Sequence, residues 1–203
     1  MIMSPNHHCF YQRYKPQRGA SLIMVMLILI VVSLLGVGAA QVALMSERGA
    51  RNDRDQQVAW QAAEAALIDA EVDMIDSTST RKIASKSVFD ATTQSVFLPG
   101  CGTSGMSVGL CDLAMTGKPA WLTVDFTATG SSAPTTAFGT FTGHTFAAGG
   151  VGIQPAKVPR YVIESVPDPI GDKSNPTYLY RITSMGFGPR ADIQAVMQML
   201  YRI

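Results

Sequence analysis

From Ala20 to Ser46 the chain carries no charged side chain, and Leu22 to Leu35 is apolar except for Ser33. As a helix at about 1.5 Å per residue this stretch would be roughly 40 Å long, enough to cross a bilayer core of about 30 Å. Arg13, Lys15 and Arg18 precede it without a carboxylate, whereas Glu47, Arg48, Arg51, Asp53, Arg54 and Asp55 follow it with both signs. That asymmetry places the N-terminus in the cytoplasm and the bulk of the chain outside.

On hydropathy the segment admits more than one reading. A secretory signal peptide needs an apolar core of only about 7–15 residues, and although small residues before Ala43 offer a cleavage site, this run is longer. A single-pass anchor fits, because Gly36, Gly38, Ala39, Ala40 and Ala43 are the small residues that let membrane helices pack closely. Position and continuation point further. Arg18-Gly19 sits directly against the apolar run, and QRGASLIMVMLILIVVSLLGVGAA resembles the class-III signal of prepilins, whose glycine is read by a dedicated leader peptidase. Beyond the run, Arg51, Asn52, Arg54 and Asp55 followed by Gln61-Ala62-Ala63-Glu64-Ala65-Ala66-Leu67 resemble the N-terminal region of PilX-family minor pilins. The resemblance covers about residues 17–76 and is looser beyond, where Gly109-Leu110-Cys111 and Pro119-Ala120-Trp121 are similar to the segment leading into the first strand of PilX-like heads.

The resemblance implies an α+β, pilin-like fold: a long N-terminal helix, half transmembrane and half amphipathic, packed on a small antiparallel sheet. It implies a leader, residues 1–19, cleaved between Gly19 and Ala20, with N-methylation of Ala20. Residues 20–46 would be the filament-core helix, 47–76 its amphipathic half and 77–203 a globular head. Implied partners are other minor and major pilins through the helix, the prepilin peptidase and a large tip adhesin. The chain would sit in the inner membrane with its head in the periplasm before assembly, and in a surface pilus after it, priming assembly and adhesion near the tip. Met24 departs from the pattern, since major pilins carry Glu at this fifth mature position to pair with a neighbour's N-terminal amine in an apolar bundle. That departure fits a minor subunit. A type II secretion pseudopilin and a single-pass envelope protein are the alternatives.

The residues say much of this without a family. In the second half of the helix Val58, Ala62, Ala65, Ile68, Val72 and Ile75 recur at intervals of three and four, predicting the face that rests on a sheet. Gly36, Gly38 and Gly49 are weak points, each costing about 1 kcal/mol against Ala. Between Asp55 and Asp76 six carboxylates occur with no Lys or Arg. Asp69, Glu71, Asp73 and Asp76 oppose the dipole at the helix end, so Arg81, Lys82 and Lys86 folding back, or a basic surface on a neighbouring pilin, would compensate them. On the second reading Gln61, Glu64, Asp69, Glu71 and Asp73 form an assembly surface.

From Ser77 the pattern turns strand-like. Trp121 to Thr127, Arg160 to Val166 and Tyr178 to Ser184 are predicted strands, and a turn at Gly186 to Pro189 leads into Ile193 to Ile203, which could pair back. Residues 127–150 hold too little apolar content for more than an extended loop, with Phe138, Phe141 and Phe146 either tacking it to the sheet or forming a contact surface. Cys101 and Cys111 enclose a glycine-containing loop; in an oxidising compartment this predicts a disulfide, and no His or Cys pair lies near at metal-ligand spacing. Cys9, His7 and His8 belong to the leader, and His144 stands alone.

A chain of 203 residues that is 47% apolar supports one sizeable head. With a formal charge of +1 and no basic stripe interleaved with aromatics, it has no footprint for nucleic acid. No catalytic motif, P-loop or dinucleotide fingerprint occurs, so neither an enzyme nor a cofactor is expected. Asp168, Asp172 and Asn175 could hold Ca²⁺, but their spacing is not that of an EF-hand, and turn chemistry explains them equally well.

Overall fold

The computed structural model describes residues 20–90, 94–150, 152–171, 174 and 177–202. Its first element, helix α1, runs unbroken over Ala20–Ile75. Gly36, Gly38 and Gly49 lie inside it without interrupting it. The chain divides into two units, the first ending at Gly49 and the second spanning Ala50–Ile203.

In the second unit the alanines of α1 lie close to a sheet. Strands β1 (Leu110–Cys111), β2 (Thr136–Ala137), β3 (Arg160–Pro167), β4 (Tyr178–Phe187) and β5 (Gln194–Tyr201) form one five-stranded sheet. The path is β1-β3-β4-β5, with β2 also on β3. The β3-β4-β5 meander and the β2 pairing are antiparallel, whereas β1 runs parallel to β3, so the sheet is mixed where a purely antiparallel one was expected. A two-residue strand has no alternation to read, and its direction follows from tertiary pairing alone.

The meander matches the alternation of its sequence. Tyr161, Ile163, Tyr180 and Ile182 face α1 and form one core with Ala66, Leu67, Ala70, Met74, Phe89 and Phe97. Val162, on the opposite face, packs with Cys101, Cys111, Ala120 and Phe126. Small residues set the helix-to-sheet approach: a Cβ on Gly186 of β4 would lie 2.2 Å from both the Ala59 carbonyl oxygen and the Ala63 nitrogen of α1. Ser184 adds a hydrogen bond from its Oγ to the Ala63 oxygen at 2.8 Å.

The buried face of α1 is therefore only partly the predicted one: Ala62 is buried and Val58, Ala65 and Val72 are half-buried. Ala59, Ala63, Ala66, Ala70 and Met74 are buried with Asp69 and Asp73, whereas Ile68 and Ile75 are 56% and 49% exposed. Alanine wins because only a residue without bulk allows this close approach.

A second correction concerns Trp121 to Thr127. Downstream of the short helix α2 (Thr80–Ala84), Ala120–Thr123 forms another, α3, instead of a strand. The Ala120 N–H donates to the buried Glu164 Oε1 at 3.1 Å, and Asp125 closes the following turn by accepting from the Thr127 N–H and hydroxyl. Fixed hydrogen-bond partners override the β-propensity of the aromatic and branched residues. The stretch 127–150 is, as expected, largely irregular with marginal edge pairing at β2.

Candidate functional site

Two surfaces of α1 carry the functional argument. From Ser21 through Ala50 every residue is exposed, including Met24 at 69%. By length and composition this is a helix able to cross a membrane. Ala20 opens the helix; Gly19, and with it the expected cleavage junction, lies outside the described residues.

The expected assembly residues of the second half separate. Gln61 and Glu64 are exposed and Glu71 is half-buried, but Asp69 and Asp73 are buried inside the head. They belong to no exposed acidic stripe, so a neighbouring pilin has no free Asp69 or Asp73 to read. Substitution of Asp69 or Asp73 would strike the head itself.

Asp69 accepts from the Gly139 N–H at 2.7 Å and from the Thr142 hydroxyl, and meets His144 Nδ1 at 3.0 Å. One carboxylate on α1 thus holds the 139–144 loop. Asp73, one turn on, accepts from Ser79 Oγ at 2.7 Å and from the Tyr161 hydroxyl at 3.1 Å. It pairs with Arg81 Nε at 3.0 Å, both side chains fully buried. Burial holds the Asp73 carboxyl above its ordinary value, opposed by Arg81, Ser79 and Tyr161. Burial likewise lowers Arg81, with Asp73 pulling it back, and pushes the Tyr161 hydroxyl well up.

Arg81, beginning helix α2 at its second residue (Thr80–Ala84), ties four segments together. Nη1 donates to the Met106 oxygen at 2.6 Å and Nη2 to the Val108 oxygen at 3.1 Å, both carbonyls of the loop closed by Cys101 and Cys111. Nη2 also reaches Thr136 Oγ1 in β2 at 3.4 Å, and the guanidinium lies 3.7 Å from the centroid of Phe141. The compensation expected from folding back is therefore real for Arg81, and Lys82 adds a donation to the Ile75 oxygen at 3.3 Å. Sequence reasoning missed that the partners are buried; the signal was an acid-only helix end with an arginine just after it.

Phe141 tacks its loop down by burial against Arg81, while Phe138 and Phe146 lie half-buried with ring centroids 5.1 Å apart. The disulfide is present as expected. Asp168 Oδ1 accepts from the Ile170 N–H and from Arg202, and Asp172 and Asn175 lie outside the described residues. Among the described residues no group of His, Cys, Asp and Glu is arranged to hold a metal ion.

An exposed apolar helix that continues, without a break, into the helix carrying a small α+β head is the layout of a pilin-like subunit. A family model described as PilX N-terminal matches residues 18–67, and one described as type IV pilus assembly protein PilX C-term matches residues 107–203. The chain belongs to the PilX family of type IV pilus assembly proteins. No curated protein and no solved structure matched it.

Proposed function

We propose that this chain is a minor pilin that primes or supports assembly of a type IV pilus near the filament tip. The observation that carries the proposal is the fully exposed, charge-free stretch of α1, matched from residue 18 by the PilX N-terminal model. Such a surface is unfavourable in water and at home in a bilayer or among other apolar helices. In this reading prepilin peptidase cuts after Gly19, Ala20 is N-methylated, and the helix passes from the inner membrane into a bundle of pilin helices while the head faces the periplasm and later the surface. Met24 supports the minor role, because a thioether cannot neutralise a neighbour's N-terminal amine as a carboxylate does. Gln61, Glu64 and Glu71 remain on α1 as accessible polar contacts for other pilins, and a large tip adhesin is a further partner.

In-frame deletion in the native host, followed by shearing and quantification of surface pili, tests this. Few or no pili are expected, restored by the complementing gene, with the tagged chain present in the sheared fraction in small amounts relative to the major subunit. Normal pili with loss of secreted enzymes would instead assign the chain to a type II secretion system.

A further inference from the structure

Beside the segments that carry Phe126, Phe138, Arg160 and Phe187, a cavity of about 420 Å³ opens, within the size range of small-ligand sites. Its walls include the half-buried Phe138 and the buried Phe126 and Phe187, with Ala148 among the small residues lining it. Two cations line it as well, Lys157 and Arg160. No Asp or Glu does.

Arg160 is only 9% exposed, yet none of the described residues gives it a carboxylate. Its Nε and Nη2 are occupied by the hydroxyl and carbonyl oxygen of Thr135, which fix the guanidinium without neutralising it. Among the described residues no hydrogen bond from Nη1 accompanies these. Burial alone pulls the Arg160 pKa down, with no opposing charge to raise it. A buried cation without a counter-charge is costly, and an arriving anion relieves that cost. Lys157 stands 5.7 Å from the Phe187 ring centroid, a second positive charge beside an aromatic wall. Asp125 feels Lys157 only as its smallest influence, is exposed, and does not line the cavity.

We propose that this cavity binds a carboxylate borne on an aromatic group, the ring lying among Phe126, Phe138 and Phe187 and the carboxylate between Arg160 and Lys157. A guanidinium favours a planar anion, and a wall rich in phenylalanine favours an aromatic body. The same chemistry is offered by a free aromatic acid and by a polypeptide ending in an aromatic residue. This assignment does not depend on the pilus role.

The test is a titration of the isotopically labelled full chain in zwitterionic micelles, followed by NMR, with N-acetylphenylalanine, its neutral amide, and the tripeptide Ala-Ala-Phe with a free carboxylate. The acids should bind about tenfold more tightly than the amide, the gain expected from one charge-assisted contact. Shifts should centre on the amides of Gly149, Lys157 and Phe187. Arg160→Met should abolish the preference for the acid. Because that variant loses the Thr135 contacts and could fail to fold, Lys157→Gln is the second arm, and it should shrink the preference while leaving the spectrum of the free protein otherwise unchanged. Tighter binding of the tripeptide than of N-acetylphenylalanine supports a polypeptide C-terminus as the source, and the reverse order supports a free acid. Equal binding of acid and amide, no binding of either, or acid binding indifferent to Lys157→Gln would overturn the proposal.

Discussion

The two halves of α1 obey opposite rules. Through Met45 the helix is exposed and free of charge on all sides, with bulky Leu, Ile, Val and Met. Beyond it the buried face is mostly alanine and includes two fully enclosed carboxylates. Ordinary amphipathic reasoning places large apolar side chains inside and charges outside; the first half exposes its apolar bulk, and the second, though it buries Leu67 and Met74, also encloses two carboxylates. The difference teaches what each surface meets. Lipid or a helix bundle accepts apolar bulk anywhere, whereas a helix pressed to within backbone contact of a sheet admits small residues, and admits charges only where partners are supplied.

The sharpest way to break this contrast is to remove the cation from the enclosed pair. Arg81→Met leaves Asp73 buried without its counter-charge and should cost about 3–5 kcal/mol in urea unfolding of the full chain in micelles. Asp73→Leu combined with Arg81→Met should recover much of that, since an apolar pair of similar bulk can replace a buried ion pair. A loss under about 1 kcal/mol in the single variant would mean water reaches the pair, as it does for exposed salt bridges.

Next in size is the disulfide, which closes a loop of sequence separation 10 and holds the carbonyls that Arg81 reads. Replacing both Cys101 and Cys111 by Ala should lower stability by about 3 kcal/mol in the chain-entropy model. Native, unreduced protein should show no alkylation at either residue.

The glycines offer a direct comparison of the two surfaces. Gly186→Ala drives a Cβ to 2.2 Å from α1 backbone atoms and should destabilise the head by about 1–3 kcal/mol, as overpacking does. Gly38→Ala has nothing within 4 Å to meet and should leave head unfolding unchanged. Equal effects at the two positions would erase the distinction.

The smallest effect concerns the helix end. Hydrogen bonds from Thr78, its backbone N–H first, hold the exposed Asp76 carboxyl below its ordinary value of 3.8. A depressed carboxyl stabilises the fold above its unfolded pKa and loses that contribution as pH falls through the folded one. Wild type should therefore exceed Asp76→Ala in stability at neutral pH, with the gap closing only below pH 3.8. A gap that persists in stronger acid would locate the effect elsewhere.

Much of the fold was legible because it rests on local pattern. The apolar run announced a helix long and apolar enough to cross a membrane, and period-two alternation marked Arg160 to Val166 and Tyr178 to Ser184, both inside observed strands. What escaped depended on distant partners. Asp69 finds Gly139 and Thr142 some 70 positions away, and Tyr161 reaches Asp73 across 88. No periodicity records such pairings, so the carboxylates read as solvated. Ile68 and Ile75 misled in the converse sense, since hydrophobicity ranks them above the alanines that the close approach to β4 requires. The cavity at Arg160 was invisible for the same reason: its lining is gathered from five separate segments.

A role in the pilus requires the exposed half of α1 to become a mature pilin N-terminus. Co-expression of the full chain with a prepilin peptidase, with intact-mass and N-terminal peptide mass spectrometry of the product, tests that most directly. The expected product begins at Ala20, and Gly19→Val should leave the precursor uncut. A chain that keeps its original N-terminus in the presence of active peptidase would contradict the account.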